Sequence, residues 1–103
     1  MINLGTETRD AILDENYNFN DVVCVEGWDG CWTFENFLKI ADTINYNNGY
    51  GAEEISAGLT IYLSDDSYFK REEYDGSEWW EYVPRCHAPV PSQDMPTIKD
   101  IMN

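Results

Sequence analysis

Positive charge is scarce in this chain. Six Lys and Arg stand against 20 Asp and Glu, a formal net charge of -14 over 103 residues, and there is one histidine. So few cations exclude a nucleic-acid-binding domain of the usual kind, because neutralising phosphates needs a basic patch. An anionic lipid surface is excluded as a direct partner on the same ground. Long apolar runs are missing too, none approaching the ~20 residues of a membrane span. The opening Met1-Ile2-Asn3-Leu4-Gly5-Thr6-Glu7 carries neither the basic region nor the apolar stretch of a secretory signal. Three cysteines, an odd number, suit a reducing compartment better than a disulfide framework. A cytoplasmic protein is expected.

Catalytic sets are equally thin. His87 beside Cys86 is a nucleophile next to a base, but sequence neighbours seldom orient each other and no third group is identifiable. Cys24, Cys31, Cys86 and His87 are the residue types of a Cys3His zinc site. The interval between Cys24 and Cys31 is not a zinc-knuckle spacing, so buried structural thiols are expected instead. Ser64-Asp65-Asp66-Ser67 lacks the alternating oxygen ligands and central glycine of a calcium loop and reads as a turn. Gly-rich phosphate loops, nucleophile elbows and HExxH are absent. The reading is a protein that is not an enzyme and takes no cofactor or metal.

What the chain does have is aromatic and acidic. Aromatics at 15% and hydrophobic residues at 43% exclude acidic disorder, which is poor in both. The length suits one domain. Such a domain has a radius of gyration of about 13 Å and spans roughly 35 Å. Duplex DNA of that length carries about 20 phosphates, so the charge density lies within a factor of two of DNA's own. A cationic partner is the natural counterpart.

Thr33 can cap a helix whose Phe34, Phe37, Leu38, Ala41 and Ile44 form one stripe, ending before Asn47-Asn48-Gly49. Residues 1–13 are a second helix candidate, with some apolar surface from Leu4, Ala11, Ile12 and Leu13 but no clear cap or period. Asp21 to Glu26 has the β-branched density of a short strand. Leu59 to Val83 reads as a three-stranded meander closed by Asp65-Asp66 and by Asp75-Gly76. The expected fold is α+β: one main helix packed on an antiparallel sheet of three to five strands, in a single domain of residues 1–84. Pro84, Pro89, Pro91 and Pro96 then lead into a proline-rich tail, residues 85–103, with one helical turn between Thr97 and Met102.

The Asp75-Gly76 turn sets Tyr74 opposite Ser77. Lys70 then faces Glu81, Phe69 faces Tyr82, Arg71 stacks on Trp80, and Glu73 opposes Glu78 at some cost. A two-residue Asp65-Asp66 loop would put Leu59, Ile61, Leu63, Tyr68, Tyr74, Trp79 and Val83 on the core face. Tyr62, Phe69, Arg71, Glu73, Glu78, Trp80 and Tyr82 would lie on the other. That second face is either a binding surface for a basic partner or a second layer of core, and a one-residue change in the first loop swaps the two. On the first alternative the partner-binding residues are Glu72, Glu73, Asp75, Glu78, Trp80, Glu81 and Tyr82, with Asp65 and Asp66 at the edge.

From Thr33 to Pro84 the chain resembles a group of small acidic proteins of bacteriophages and mobile elements. The resemblance rests on Thr33-Phe34-Glu35-Asn36-Phe37-Leu38, on Gly49-Tyr50-Gly51, on Leu59 to Leu63 and on Glu73-Tyr74-Asp75-Gly76-Ser77-Glu78-Trp79-Trp80-Glu81-Tyr82. It implies no chemistry. By class it implies an inhibitor of host defence in the bacterial cytoplasm, anti-CRISPR or antirestriction in kind. Its carboxylates would stand in for phosphates in the basic groove of a nucleic-acid-binding enzyme such as an RNA-guided nuclease. The alternative is an accessory or structural phage protein whose acidity keeps it soluble.

Overall fold

Thr33 caps a helix as its position requires. Its hydroxyl accepts the Asn36 N–H at 3.2 Å, and α2 runs Phe34–Ala41 with Phe34, Phe37 and Ala41 buried on one stripe. The computed structural model describes residues 1–49, 52–84 and 89–103. A second helix, α1 (Leu4–Asp14), is longer than α2, so the fold has no single main helix. Its cap is Asn3, whose Oδ1 accepts the Thr6 N–H at 3.0 Å. The Asn3 side-chain amide also donates to the Asp42 carbonyl at 3.0 Å and to Asn45 Oδ1 at 3.1 Å. Asn3→Ala is expected to cost about 1–2 kcal/mol in urea denaturation. Asn3→Asp, which keeps the cap and loses the amide donor, should cost less.

α1 lies against the end of α2. A Cβ on Gly5 would clash with the Asp42 carboxylate and stand 3.1 Å from the Asp42 Cα, so glycine at this position lets the carboxylate sit where it does. Arg9 grips the same carboxylate with two hydrogen bonds, at 2.7 and 2.9 Å. The guanidinium holds the Asp42 carboxyl below its ordinary range. A depressed carboxyl pKa stabilises the fold above the unfolded value and loses that contribution as the pH falls through the folded one. The two side chains are 35% and 44% exposed, so solvent screening limits the pair to about 1 kcal/mol or less. Asp42→Asn should therefore lower stability by up to about 1 kcal/mol at neutral pH. Its unfolding midpoint should converge with the parent's as the pH falls through the depressed pKa of the parent's carboxyl and that group protonates.

The sheet is antiparallel and five-stranded, in the order β3 (Cys31–Trp32), β2 (Val22–Glu26), β5 (Thr60–Leu63), β6 (Tyr68–Tyr74), β7 (Ser77–Val83). A smaller sheet pairs β1 (Ile2–Asn3) with β4 (Asn45–Tyr46). Asp75 and Gly76 have φ of 52° and 86°, the type I′ geometry, and every β6–β7 pair follows from that turn, including Arg71 opposite Trp80. The preceding loop departs from expectation. Ile61 faces Phe69 and Tyr62 faces Tyr68, so the loop holds three residues, Ser64-Asp65-Asp66. Asp66 takes the left-handed position at φ 68°, its N–H donates to the Leu63 carbonyl at 3.2 Å, and Asp65 Oδ1 accepts the Ser67 N–H at 3.1 Å.

That extra residue exchanges the faces of β6 and β7. Phe69, Arg71, Glu78, Trp80 and Tyr82 share the inner face with Ile61 and Leu63, whereas Tyr68, Tyr74, Trp79 and Val83 share the outer face with Tyr62. Leu4, Ile12, Phe34, Phe37, Ala41, Ile61, Leu63, Phe69 and Trp80 belong to one core beneath α1 and α2. The aromatic face is a core layer.

The proline-rich segment is tied in at its described end. Ser92 N–H donates to the Cys31 carbonyl at 2.8 Å, and the Cys24 thiol donates to the Pro89 carbonyl at 3.3 Å. The expected turn forms as α3 (Ile98–Ile101), which buries Ile101 completely in the core. Residues 98–103 thus belong to the domain rather than to a tail, because prolines forbid a ladder but not the burial of the isoleucine beyond them. No described helix is long and apolar enough to cross a membrane.

Candidate functional site

Glu78 is the residue whose place differs most from expectation. It is fully buried, and its carboxylate accepts the N–H groups of Glu54 and Ile55 at 2.7 and 3.0 Å and Nη2 of Arg71 at 3.2 Å. Arg71, whose side chain is also fully buried, reaches Glu7 at 3.3 Å and the Tyr46 hydroxyl at 3.1 Å and lies 4.8 Å from the Trp80 ring centre. Trp80 is 7% exposed, its indole N–H bound to Thr8 Oγ1 at 2.9 Å. Both residues, expected at an exposed binding surface, instead organise the core. Burial alone would penalise these charges; the cation between two carboxylates and the backbone donors on Glu78 offset it.

The remaining hairpin acids do not gather. Glu72 and Glu81 lie on the outer face around Lys70, with Glu72 Oε2 3.3 Å from Nζ. Glu73 folds back onto the Asp75-Gly76 turn and accepts the Gly76 N–H at 2.8 Å. Asp65 and Asp66 sit at the opposite end of β6, about 20 Å away by strand rise. Asp65 does meet Tyr82 through Tyr17: the Tyr17 hydroxyl donates to Asp65 and lies 2.7 Å from the Tyr82 hydroxyl, which contacts Ser67 at 3.0 Å. That hydrogen bond holds the Asp65 carboxyl below its ordinary range. The nine residues therefore do not form one acidic surface.

An acidic site arises elsewhere. A groove of about 610 Å3 opens between α1 and β7. Phe69, Tyr82 and an edge of Trp80 floor it, and Trp79, 38% exposed, stands at its rim. Glu7, Asp10 and Asp14 fall on one stripe of α1, with Glu15 just beyond, and among the described residues no Lys or Arg lines the groove. Glu7 is engaged with Tyr46 at 2.7 Å and with Arg71. Asp10, Asp14 and Glu15 are exposed. Of the expected residues only Trp80 and Tyr82 border this site. The acid stripe was hidden in the sequence by the unrecognised Asn3 cap; spacing of Glu7, Asp10 and Asp14 at three and four residues was the available signal.

A second groove, about 460 Å3, lies beside the exposed Trp28 and mixes Glu26 with Lys70. Cys24 is buried and Cys31 half-buried, and burial pushes both thiols up. Cys86 and His87 lie outside the described residues, so neither the Cys–His pair nor the four-ligand set is described. Among the described residues no three His, Cys, Asp or Glu are grouped to hold a metal ion. No protein-family model, curated protein or solved structure matches the chain.

Proposed function

We propose that this protein acts by binding, receiving cationic side chains of a partner protein in the α1–β7 groove. The observation that carries the reading is a groove with four carboxylates, an aromatic floor and, among the described residues, no lining lysine or arginine. Carboxylates supply attraction and association rate; aromatic rings supply contact area and, for arginine, a face on which to stack. A chain of net charge -14 then matches a basic surface that ordinarily holds phosphates. The biological role that fits is the inhibitor expected from the sequence, which occupies the basic nucleic-acid groove of a host enzyme, RNA-guided nucleases included. The carboxylates that substitute for phosphates are those of α1 rather than of the hairpin.

Immobilised protein incubated with bacterial lysate and eluted by a salt step tests this. The expected eluate contains a basic nucleic-acid-binding protein from which the free chain displaces labelled DNA. Retention indifferent to salt, or a retained protein that keeps its DNA, would leave an accessory or structural role.

A further inference from the structure

The strand beside the groove is the last of its sheet, and one of its edges has no strand partner among the described residues. Which backbone groups face outward follows from the turn. Tyr74 and Ser77 flank a two-residue type I′ turn and exchange hydrogen bonds, so residues 77, 79, 81 and 83 bond to β6. Residues 78, 80 and 82 then present N–H and C=O away from it. Glu78 shows the pattern, since its N–H donates outward to Asn48 Oδ1 at 2.7 Å. Gly49 N–H likewise covers the Gly76 carbonyl at 2.9 Å. The edge is thus closed near the turn. Beyond it, the Trp80 and Tyr82 N–H groups have no hydrogen-bond partner among the described residues.

We infer that this open edge takes an extended basic segment of the partner as a further strand. The inference rests on the binding role proposed above and specifies its mode. Main-chain bonds to Trp80 and Tyr82 give such a segment its register, and alternate side chains turn towards α1. There the exposed Asp10 and Asp14 stand about one helical turn apart along the wall, so cations at alternate positions of the segment meet a carboxylate. Residues 79–83 offer about 17 Å of edge, room for about five residues of partner. Charge complementarity selects the occupant: a second copy would bring another -14 against the same carboxylates. Natural edges are usually blunted by lysine, proline or a covering loop. Between Trp79 and Val83 the strand carries neither lysine nor proline.

Amide hydrogen exchange of the full chain with a synthetic peptide of about seven residues, arginine alternating with valine, tests the inference. Saturating peptide should slow exchange at Trp80 and Tyr82 by about a hundredfold and change Trp79 and Glu81 little. Methylating the peptide nitrogens that face β7 should weaken binding about tenfold, whereas methylating the alternate nitrogens should leave it within about twofold. Peptide binding, read by tryptophan fluorescence, without protection at Trp80 and Tyr82 would overturn strand addition and leave the acidic groove standing. No binding even at low salt would overturn both. A free protein that self-associates, with the two amides already protected, would assign the edge to a second copy and overturn the inference.

Discussion

Glu78→Ala should be the most damaging single substitution in this chain, costing about 3–5 kcal/mol. The carboxylate serves the N–H groups of Glu54 and Ile55 as well as Arg71. Its removal leaves the buried Ile55 N–H and the half-buried Glu54 N–H without that acceptor, and leaves Nη2 of Arg71 with the Tyr46 hydroxyl alone. Arg71 would retain Glu7 but lose the partner that is itself fully buried. Glu73→Ala, directly across the ladder and exposed, should cost no more than about 1 kcal/mol. A double replacement of Arg71 by Met and Glu78 by Leu should recover only part of the loss. It removes the buried charges but leaves the two backbone donors unsatisfied. Denaturant midpoints for the four proteins provide the measurement, and a loss below 1 kcal/mol for Glu78→Ala would refute the network's role. The same geometry rules out reversing Glu73 and Glu78 together as a surface probe, because a lysine at 78 would be buried beside Arg71.

Charge reversal on α1 is the largest effect expected on binding. Asp10 and Asp14 are exposed, and Asp14 ends the helix, where a cation complements the dipole. Asp10→Lys with Asp14→Lys should therefore fold as the parent does. Affinity for the arginine–valine peptide should fall about a hundredfold at low salt, chiefly through slower association. The difference should shrink as salt rises, since exposed charges are screened within ~8 Å at physiological ionic strength. Trp79→Ala should act the other way, speeding dissociation while association persists. Stopped-flow titration at two salt concentrations separates the two. Equal affinities for the parent and the double reversal would remove the groove from the binding site. Trp79 is the informative ring here because Trp80 is committed to Thr8 and Arg71.

Where a structure is dictated by neighbours in sequence, the residues alone declared it. Thr33 and the stripe Phe34, Phe37, Ala41 specify the start and buried face of α2 because a cap and a 3.6-residue period act within one or two turns. The helix nevertheless ends at Ala41 rather than before Asn47, and Ile44 lies beyond it. Asp75-Gly76 specifies the β6–β7 register down to Arg71 on Trp80, because two positive-φ residues admit a single tight hairpin. The α+β class and the burial of Cys24 follow from the same local patterns. The first hairpin shows where that stops. Ser64-Asp65-Asp66-Ser67 can close with two loop residues or three, and aspartate's tolerance of the left-handed conformation makes both locally acceptable. Only packing against α1 and α2 decides between them. Tertiary contacts therefore chose which face of the hairpin is core, turned Glu78 from a surface carboxylate into a buried anchor, and drew Ile101 out of a proline-rich segment into the interior. They also created the groove, whose acids belong to α1 and whose rings belong to β6 and β7. No local rule relates residues so far apart in sequence; the sheet's register and the helix's cap do so together.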